Sequence, residues 1–153
     1  MTPYYGRDGI VIFLGNSDDV LRGLRAESFS TLVFDPPYTP TLVRVIHMLR
    51  WVTNGGKVLM LGADGCSIIR HLAGLPAEWV TMAKIAPRYE HGHAVARPLE
   101  IMKSLLALTE GPILDPYMGV GTTLVAAKEL GRECTGIDIE PKYCRTAVAR
   151  LEA

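Results

Sequence analysis

Short apolar runs alternate with stretches of helical periodicity along this chain, and that alternation limits the fold more than any other feature. It is typical of an α/β domain in which helices cover both faces of a mostly parallel sheet. The 153 residues suffice for one buried core, so we predict a single domain over residues 1–153. We expect six strands, or seven with His93–Ala96, the first six being Ile10–Leu14, Thr31–Phe34, Lys57–Gly62, Trp79–Ile85, Pro112–Asp115 and Glu133–Asp138.

Helices are predicted between these strands. The first follows Thr39-Pro40, a capping residue with proline at the first helical position, and stops at Asn54-Gly55-Gly56. One helix and one strand are expected to fill most of Gly62–Ala96. The remaining three start near Arg97-Pro98, Thr122 and Pro141, the one from Thr122 running to Leu130 before a Gly131 cap, and their stripes should bury Ile101, Met102, Leu105, Leu108, Tyr143, Ala147, Val148 and Leu151.

Composition excludes several classes of protein. Hydrophobic residues make up 48% and charged residues 21%, which is too apolar for a disordered chain. No apolar run approaches the roughly 20 residues of a membrane helix, and no signal-peptide layout is present, so we expect a cytoplasmic protein without membrane contact. The 16 basic and 16 acidic residues give zero net charge, whereas non-specific DNA binders are usually basic. Contact with DNA would therefore need a local basic face.

Neither cysteines nor histidines predict a metal site. Cys66, Cys134 and Cys144 lack CxxC spacing, and they are interpreted as small buried hydrophobes. His91 and His93 lie in an irregular stretch, residues 86–96, without a third ligand at suitable spacing. This stretch could contact nucleic acid or form an ordinary polar loop.

The tetrapeptide Asp35-Pro36-Pro37-Tyr38 directly follows the predicted strand Thr31–Phe34. A carboxylate at a strand end, two prolines and an aromatic ring form a stiff platform for a flat ligand that carries an amine. The carboxylate would accept a hydrogen bond from the amine and the ring would stack. This arrangement suits methylation of the exocyclic amine of a nucleobase, although a rigid turn capped by Asp35 is the simpler interpretation of the motif alone.

A glycine loop follows the predicted strand Pro112–Asp115, with the sequence Pro116-Tyr117-Met118-Gly119-Val120-Gly121-Thr122-Thr123. A dinucleotide fingerprint would require glycine at position 124, where Leu124 stands, and no Walker loop is present. A nucleoside cofactor without phosphates, such as S-adenosylmethionine, fits better. Asp138 ends the next strand, 23 positions after Asp115, where a carboxylate reaches ribose hydroxyls in this topology. Asp115 would lie near the methionine portion.

Together these motifs resemble the amino-methylating DNA methyltransferases, which have a Rossmann-like, S-adenosylmethionine-dependent fold. The tetrapeptide precedes the cofactor loop, as in the permuted beta-class enzymes, and aspartate in its first position is more typical of adenine N6 than of cytosine N4 enzymes. Besides the tetrapeptide, the resemblance rests on Arg97-Pro98-Leu99, Asp115–Thr123, Gly136-Ile137-Asp138, Tyr143 and Arg150-Leu151.

The resemblance implies roles for individual residues. Catalysis would involve Asp35, Pro36, Pro37 and Tyr38. DNA would be contacted by Tyr38, Arg88, Tyr89, His91 and His93. Cofactor contacts are implied for Asn16, Asp35, Arg97, Pro98, Leu99, Asp115, Pro116, Tyr117, Gly119, Gly121, Thr122, Thr123 and Asp138.

Two departures from the family pattern bear on these expectations. Asn16 stands where an acid is usual, which weakens an adenine contact. Only Gly62–Ala96 is left for target recognition, so a homodimer or a separate specificity partner is expected to help engage DNA. A cytosine N4 enzyme, a methyltransferase of RNA or another amine, and a non-catalytic cofactor-binding subunit remain as alternatives.

Overall fold

The computed structural model describes the backbone of residues 1–35, 47–62, 65–72, 75–82, 88–90 and 93–153. Side chains are described for residues 1–35, 47–53, 55–61 and 97–153. Pro36, Pro37, Tyr38 and His91 lie outside the described residues, as do Thr39-Pro40 and residues 41–46 of the first predicted helix.

An eight-stranded sheet forms the centre of the described part of the chain, in the order β1-β2-β10-β9-β3-β4-β5-β6. The strands from β2 to β4 in this order are parallel, whereas β1 at one edge and β5 and β6 at the other run antiparallel to their neighbours. The strands are β1 (Tyr5–Arg7), β2 (Ile10–Leu14), β3 (Phe29–Phe34), β4 (Val52–Gly62), β5 (Gly65–Leu72), β6 (Leu75–Met82), β9 (Ile113–Asp115) and β10 (Cys134–Asp138).

Helices pack on both faces of this sheet, as predicted. One core joins β2, β3, β4 and β9 to helices α2, α3 and α4, and the other joins the opposite faces of the same strands to α1 and a 3-10 turn. A separate hairpin pairs β7 (Arg88–Glu90) with β8 (His93–Ala96). The helices are α1 (Ser17–Arg22), the 3-10 turn Leu49–Trp51, α2 (Leu99–Leu106), α3 (Thr122–Glu129) and α4 (Pro141–Glu152).

The six main predicted strands are all present, one of them displaced along the chain. Trp79–Ile85 was expected, and the strand spans Leu75–Met82. His93–Ala96 is a strand, but it belongs to the separate hairpin and not to the central sheet. The short edge strand Tyr5–Arg7 was not predicted.

The helix predicted after Gly62 is wrong, because β5 (Gly65–Leu72) occupies that part of the chain. Ile68 pairs with Leu59 of β4 on one side and with Val80 of β6 on the other. Hydrogen bonding to two neighbouring strands satisfies the backbone of β5, and this non-local pairing overrides the local helical pattern.

The first predicted helix also ends earlier than Asn54-Gly55-Gly56. His47 and Met48 are helical, the 3-10 turn follows, and β4 begins at Val52, which pairs with Phe29. The buried Trp51 donates a 2.9 Å hydrogen bond from Nε1 to the carbonyl oxygen of Leu21. This anchor and the sheet pairing end the helix before the glycines.

Two residues of the expected stripes are exposed, and Tyr143 and Val148 are only half-buried. Ile101 and Leu108 are exposed, while Met102, Leu105 and Leu106 form the buried face of α2. Leu108 lies beyond the end of α2 at Leu106, so the helical period no longer directs it inward.

Cys134 and Cys144 are buried as predicted, and burial raises the pKa of both thiols, that of Cys144 to about 11. Among the described residues, no helix has the length and apolar character needed to cross a membrane.

Candidate active site at the carboxyl edge of the sheet

Three aspartates meet at one edge of the sheet because three neighbouring parallel strands end there. Asp138 ends β10, Asp115 ends β9, and Asp35 directly follows β3, and β10, β9 and β3 are adjacent in the sheet. The carboxyl edge of a parallel sheet is where open α/β folds bind ligands. The structure therefore brings Asp35 of the first motif to the same edge as Asp115, about 80 residues later in the sequence.

Asp115 is the buried member of this row. Its Oδ1 accepts a 3.1 Å hydrogen bond from the Tyr117 amide, and the Thr123 side chain also bonds to the carboxyl group. Burial raises the pKa of Asp115 to about 7, and the nearby charges of Asp35 and Asp138 add to this rise, while the two hydrogen bonds oppose it. A carboxyl group perturbed in this way beside other acids is typical of a functional site.

Asp138 tethers the glycine loop. Its Oδ2 accepts a 2.9 Å hydrogen bond from the Gly119 amide, and its Oδ1 accepts a 2.8 Å bond from the Glu140 amide. Each oxygen of Asp138 thus holds one backbone amide, and together they fix the glycine loop relative to the start of α4. Asp138 is only partly buried.

Two further contacts fix the loop between β9 and α3. Gly121 caps α3 with a φ of +76°, and a Cβ at this position would lie 2.7 Å from the Cβ of Ala147 on α4. Arg150 of α4 donates from Nη1 to the Val120 carbonyl at 2.7 Å and to Thr122 Oγ1 at 3.1 Å. Gly121 was predicted as a cofactor contact, and the structure gives it a role in packing α3 against α4.

Arg97 forms a two-pronged ion pair with Asp35. Its Nε lies 3.0 Å from Oδ2 and its Nη2 lies 3.1 Å from Oδ1. The Arg97 side chain is only 8% exposed, against 26% for Asp35. Arg97 was predicted to contact the cofactor, and this ion pair joins it to the predicted catalytic carboxylate.

Asn16 is exposed and caps α1, because its Oδ1 accepts a 2.9 Å hydrogen bond from the Asp18 amide. Beside it, two large apolar side chains are exposed, Leu14 (40%) at the end of β2 and Ile139 (61%) directly after Asp138. Leu14 is the register partner of Asp138. Neither was predicted as a site residue, although the sequence shows that Ile139 directly follows a strand-ending acid.

The remaining predicted residues take varied positions. Pro98 precedes α2 as its cap, with Leu99 half-buried at the first helical position. Pro116 is buried, and the half-buried Tyr117 ring packs edge-on against Phe34, with 5.6 Å between ring centroids. Thr122 and Thr123 are buried in the first turn of α3. Arg88, Tyr89 and His93 lie on the β7–β8 hairpin, where only the backbone is described.

Comparison with known proteins adds to this geometry. The DNA methylase family model (N6_N4_Mtase) matches residues 77–149. The type II methyltransferase M2.DpnII of Streptococcus pneumoniae is 38% identical over 76 residues, which cover 48% of this chain and 28% of that relative. The matched segment thus spans little more than a quarter of the relative's length.

Solved structures match over more of the chain. M1.HpyAVI in complex with S-adenosylmethionine aligns with a TM-score of 0.66 at 17% identity, covering 94% of this chain and 100% of the other. The cytosine-N4-specific PvuII DNA methyltransferase aligns with a TM-score of 0.68 at 13% identity, covering 97% and 88%. The fold is that of the Rossmann-like DNA methyltransferases.

Within this methyltransferase fold, the carboxyl edge offers two kinds of surface side by side. Asp138, Leu14 and Ile139 present an acceptor next to exposed aliphatic groups, which suits a nucleoside with hydroxyls and a flat ring. Asp35 follows β3, two strands away from β10 in the sheet, and its carboxylate suits an amine. Asp115 lies between them.

Proposed function

We propose that this chain transfers a methyl group from S-adenosylmethionine to an exocyclic amine of a base in DNA, and that the base is adenine, modified at N6. The observation that carries the proposal is the row of Asp138, Asp115 and Asp35 on adjacent strand ends. The acid proposed to bind the nucleoside, Asp138, and the acid proposed to bind the amine, Asp35, thus lie on one edge, two strands apart. The match of residues 77–149 to the DNA methylase family supports the same reaction.

The residues at this edge fit the cofactor. Asp138 would accept hydrogen bonds from the ribose hydroxyls, and Leu14 and Ile139 would cover the adenine ring with aliphatic surface. Gly119, held by Asp138, would set the loop against the cofactor, and Asp115 would face its methionine portion. When bound, S-adenosylmethionine supplies an electrophilic methyl group on a sulfonium sulfur. M1.HpyAVI, with the same fold, is solved with this molecule.

Asp35 and its neighbours would act on the amine. The lone pair of an exocyclic amine is delocalised into the base, so the nitrogen is a weak nucleophile. Hydrogen bonds from its N–H groups to Asp35 and to the Pro36 carbonyl would localise that lone pair, and stacking on Tyr38 would hold the base outside the duplex. Positioning and electrostatics would supply most of the rate gain.

Adenine is proposed because aspartate opens the tetrapeptide. PvuII DNA methyltransferase, which shares the fold, is specific for cytosine N4, so the base needs a direct test. Unmethylated DNA would be incubated with the protein and S-adenosylmethionine that carries a deuterated methyl group, and the nucleosides would be analysed by mass spectrometry. Label in N6-methyladenine supports the proposal, and label in N4-methylcytosine reassigns the base.

We also propose which residues hold the DNA. The permuted motif order of the beta class, in which Asp35 precedes the glycine loop, favours DNA over RNA as the substrate. Recognition would use the β7–β8 hairpin with Arg88, Tyr89 and His93, and His91 in the same stretch. Because the segment between Gly62 and Ala96 is short, a homodimer or a separate specificity partner would add DNA-binding surface.

Two alternatives have distinct outcomes in the same assay. A methyltransferase of RNA or another amine would label RNA in preference to DNA when the two are supplied side by side. A non-catalytic subunit would bind S-adenosylhomocysteine in calorimetry but label no nucleic acid. The intact carboxylate at Asp35 favours an active enzyme.

A further inference from the structure

We propose that Arg97 is a positioning residue that sets the orientation of the Asp35 carboxylate. The inference rests on the proposed methyl transfer and deepens it. It differs from the cofactor contact that the motif Arg97-Pro98-Leu99 implies, because Nε and Nη2 of Arg97 both bind the Asp35 carboxylate.

The geometry of the pair is specific. Two nitrogens on one edge of the guanidinium, Nε and Nη2, each reach a different carboxylate oxygen, at 3.0 and 3.1 Å. This two-pronged arrangement fixes the plane of the carboxylate as well as its distance, which a single bond from a lysine would not do. Arg97 is nearly buried, at 8% exposure, so its position is held by the surrounding protein and not by solvent.

The pairing also connects two elements. Asp35 follows β3, and Arg97 lies directly before the Pro98 cap of α2, 62 residues later in the chain. α2 is itself anchored through Met102, Leu105 and Leu106 in the core. Arg97 therefore transmits the position of a rigid helix to a carboxylate that sits outside its strand.

The orientation matters for the transfer step. The amine nitrogen donates its lone pair to the methyl carbon, the carbon–sulfur bond breaks, and its electron pair stays on sulfur as a thioether. The methylated nitrogen, now cationic, releases one proton to solvent. The Arg97 guanidinium donates one hydrogen bond to each oxygen of Asp35 and so fixes the plane of the carboxylate. The carboxylate would then accept a hydrogen bond from the amine N–H at a set angle.

Arg97→Met tests this proposal, with Arg97→Lys as the conservative variant. The matched control is Arg22→Met, which removes an arginine from an exposed pair with Asp19 on α1, 2.6 Å apart. Each protein would be assayed for single-turnover transfer of labelled methyl to DNA at saturating S-adenosylmethionine. Calorimetry would give the Kd of S-adenosylhomocysteine.

We expect Arg97→Met to slow transfer by about 100-fold, the size of effect that a misplaced reacting group produces, and to change the cofactor Kd by less than about threefold. Arg97→Lys should fall between, and Arg22→Met should match the wild type. A third variant, Arg97→Ala, leaves space for a free guanidinium. Millimolar methylguanidinium should partly restore its transfer rate by rebuilding the two-pronged contact with Asp35, whereas a misfolded protein would not respond to it.

The opposing outcomes separate the two proposals. A wild-type protein that methylates DNA alongside an equally active Arg97→Met overturns only the role of Arg97. An Arg97→Met protein whose cofactor Kd rises more than tenfold while its rate at saturating cofactor is unchanged also overturns the role of Arg97, because Arg97 is then a cofactor ligand. A wild-type protein that labels no nucleic acid overturns the proposed function, and with it any role of Arg97 in transfer.

Discussion

The Gly119 amide donates a 2.9 Å hydrogen bond to Oδ2 of Asp138. This bond links the glycine loop after β9 to the end of β10. The same carboxylate holds the Glu140 amide at the start of α4. Asp138 thus shapes the proposed cofactor site in addition to contributing an acceptor to it. These two functions predict different results for two substitutions.

Asp138→Ala should weaken binding of S-adenosylhomocysteine by about 10- to 100-fold, since hydrogen bonds to a charged group contribute about 1.5–3 kcal/mol. Asp138→Asn keeps an oxygen for Gly119 but loses the charge, so it should lie between Asp138→Ala and the wild type. Isothermal titration calorimetry measures the three dissociation constants. An unchanged Kd in Asp138→Ala would show that Asp138 does not bind the cofactor.

Gly121→Ala should destabilise the fold more than Gly131→Ala does. Both glycines have positive φ, +76° and +65°, and alanine is strained at such angles by about 1–2 kcal/mol. Only at Gly121 would the new Cβ meet Ala147, at 2.7 Å, whereas within the described part of the chain nothing lies within 4 Å of a Cβ at Gly131. Overpacking should cost Gly121→Ala about 1–3 kcal/mol more.

Urea unfolding of both glycine variants and the wild type measures this difference. Equal losses in the two variants would show that α3 and α4 separate easily, and that the contact between Gly121 and Ala147 does not limit the packing of the loop.

Asp115 should make stability depend on pH. Burial raises its pKa to about 7, whereas an aspartate in the unfolded chain ionises near pH ~3.9. Between these values the folded state holds the extra proton, so stability is highest below the unfolded pKa and falls as the pH rises towards 7. Asp115→Asn does not ionise, and its amide oxygen can still accept from Tyr117.

The wild type should therefore lose roughly 2–3 kcal/mol of unfolding free energy relative to Asp115→Asn between about pH 5 and about pH 8. Urea unfolding at a series of pH values gives both curves, and all other ionisable groups are common to the two proteins. Parallel curves would mean that Asp115 is ionised in the folded protein throughout this range.

Arg150→Met should loosen the glycine loop from α4. The substitution removes the bonds from Nη1 to the Val120 carbonyl and to Thr122 Oγ1, and hydrogen bonds from a charged donor are worth about 1.5–3 kcal/mol. We expect a loss of about 1–3 kcal/mol in unfolding free energy and weaker binding of S-adenosylhomocysteine. Arg145→Met, at an exposed position of the same helix, is the control and should stay within about 0.5 kcal/mol.

Circular dichroism during urea unfolding and calorimetry measure these two effects. If Arg150→Met were as stable and bound the cofactor as tightly as Arg145→Met, the loop would hold its shape through Asp138 and Gly121 alone.

Local patterns were sufficient for the elements that form the cofactor edge. The apolar run Ile10–Leu14 is a strand over the predicted residues, and the stretches that end at Asp115 and Asp138 differ from their predicted bounds by one residue at the start. β2 has strands on both sides and reads as a continuous apolar run, whereas β9 and β10 are short stretches that end in an aspartate. The same patterns failed in β5, where pairing with β4 and β6 decides the structure and no short window contains that information.

The chain by itself determined that an acid would end two strands and directly follow a third, and that a glycine loop would follow one of them, because side-chain chemistry and strand–turn–helix order are local properties. Only the tertiary structure decided that β10, β9 and β3 are neighbours, so that Asp138, Asp115 and Asp35 share one edge. It also decided that Arg97 pairs with Asp35, since residues 62 positions apart meet only when the helix after Pro98 packs against the sheet. Strand order and ion pairing depend on the packing of distant segments, which a local pattern does not encode.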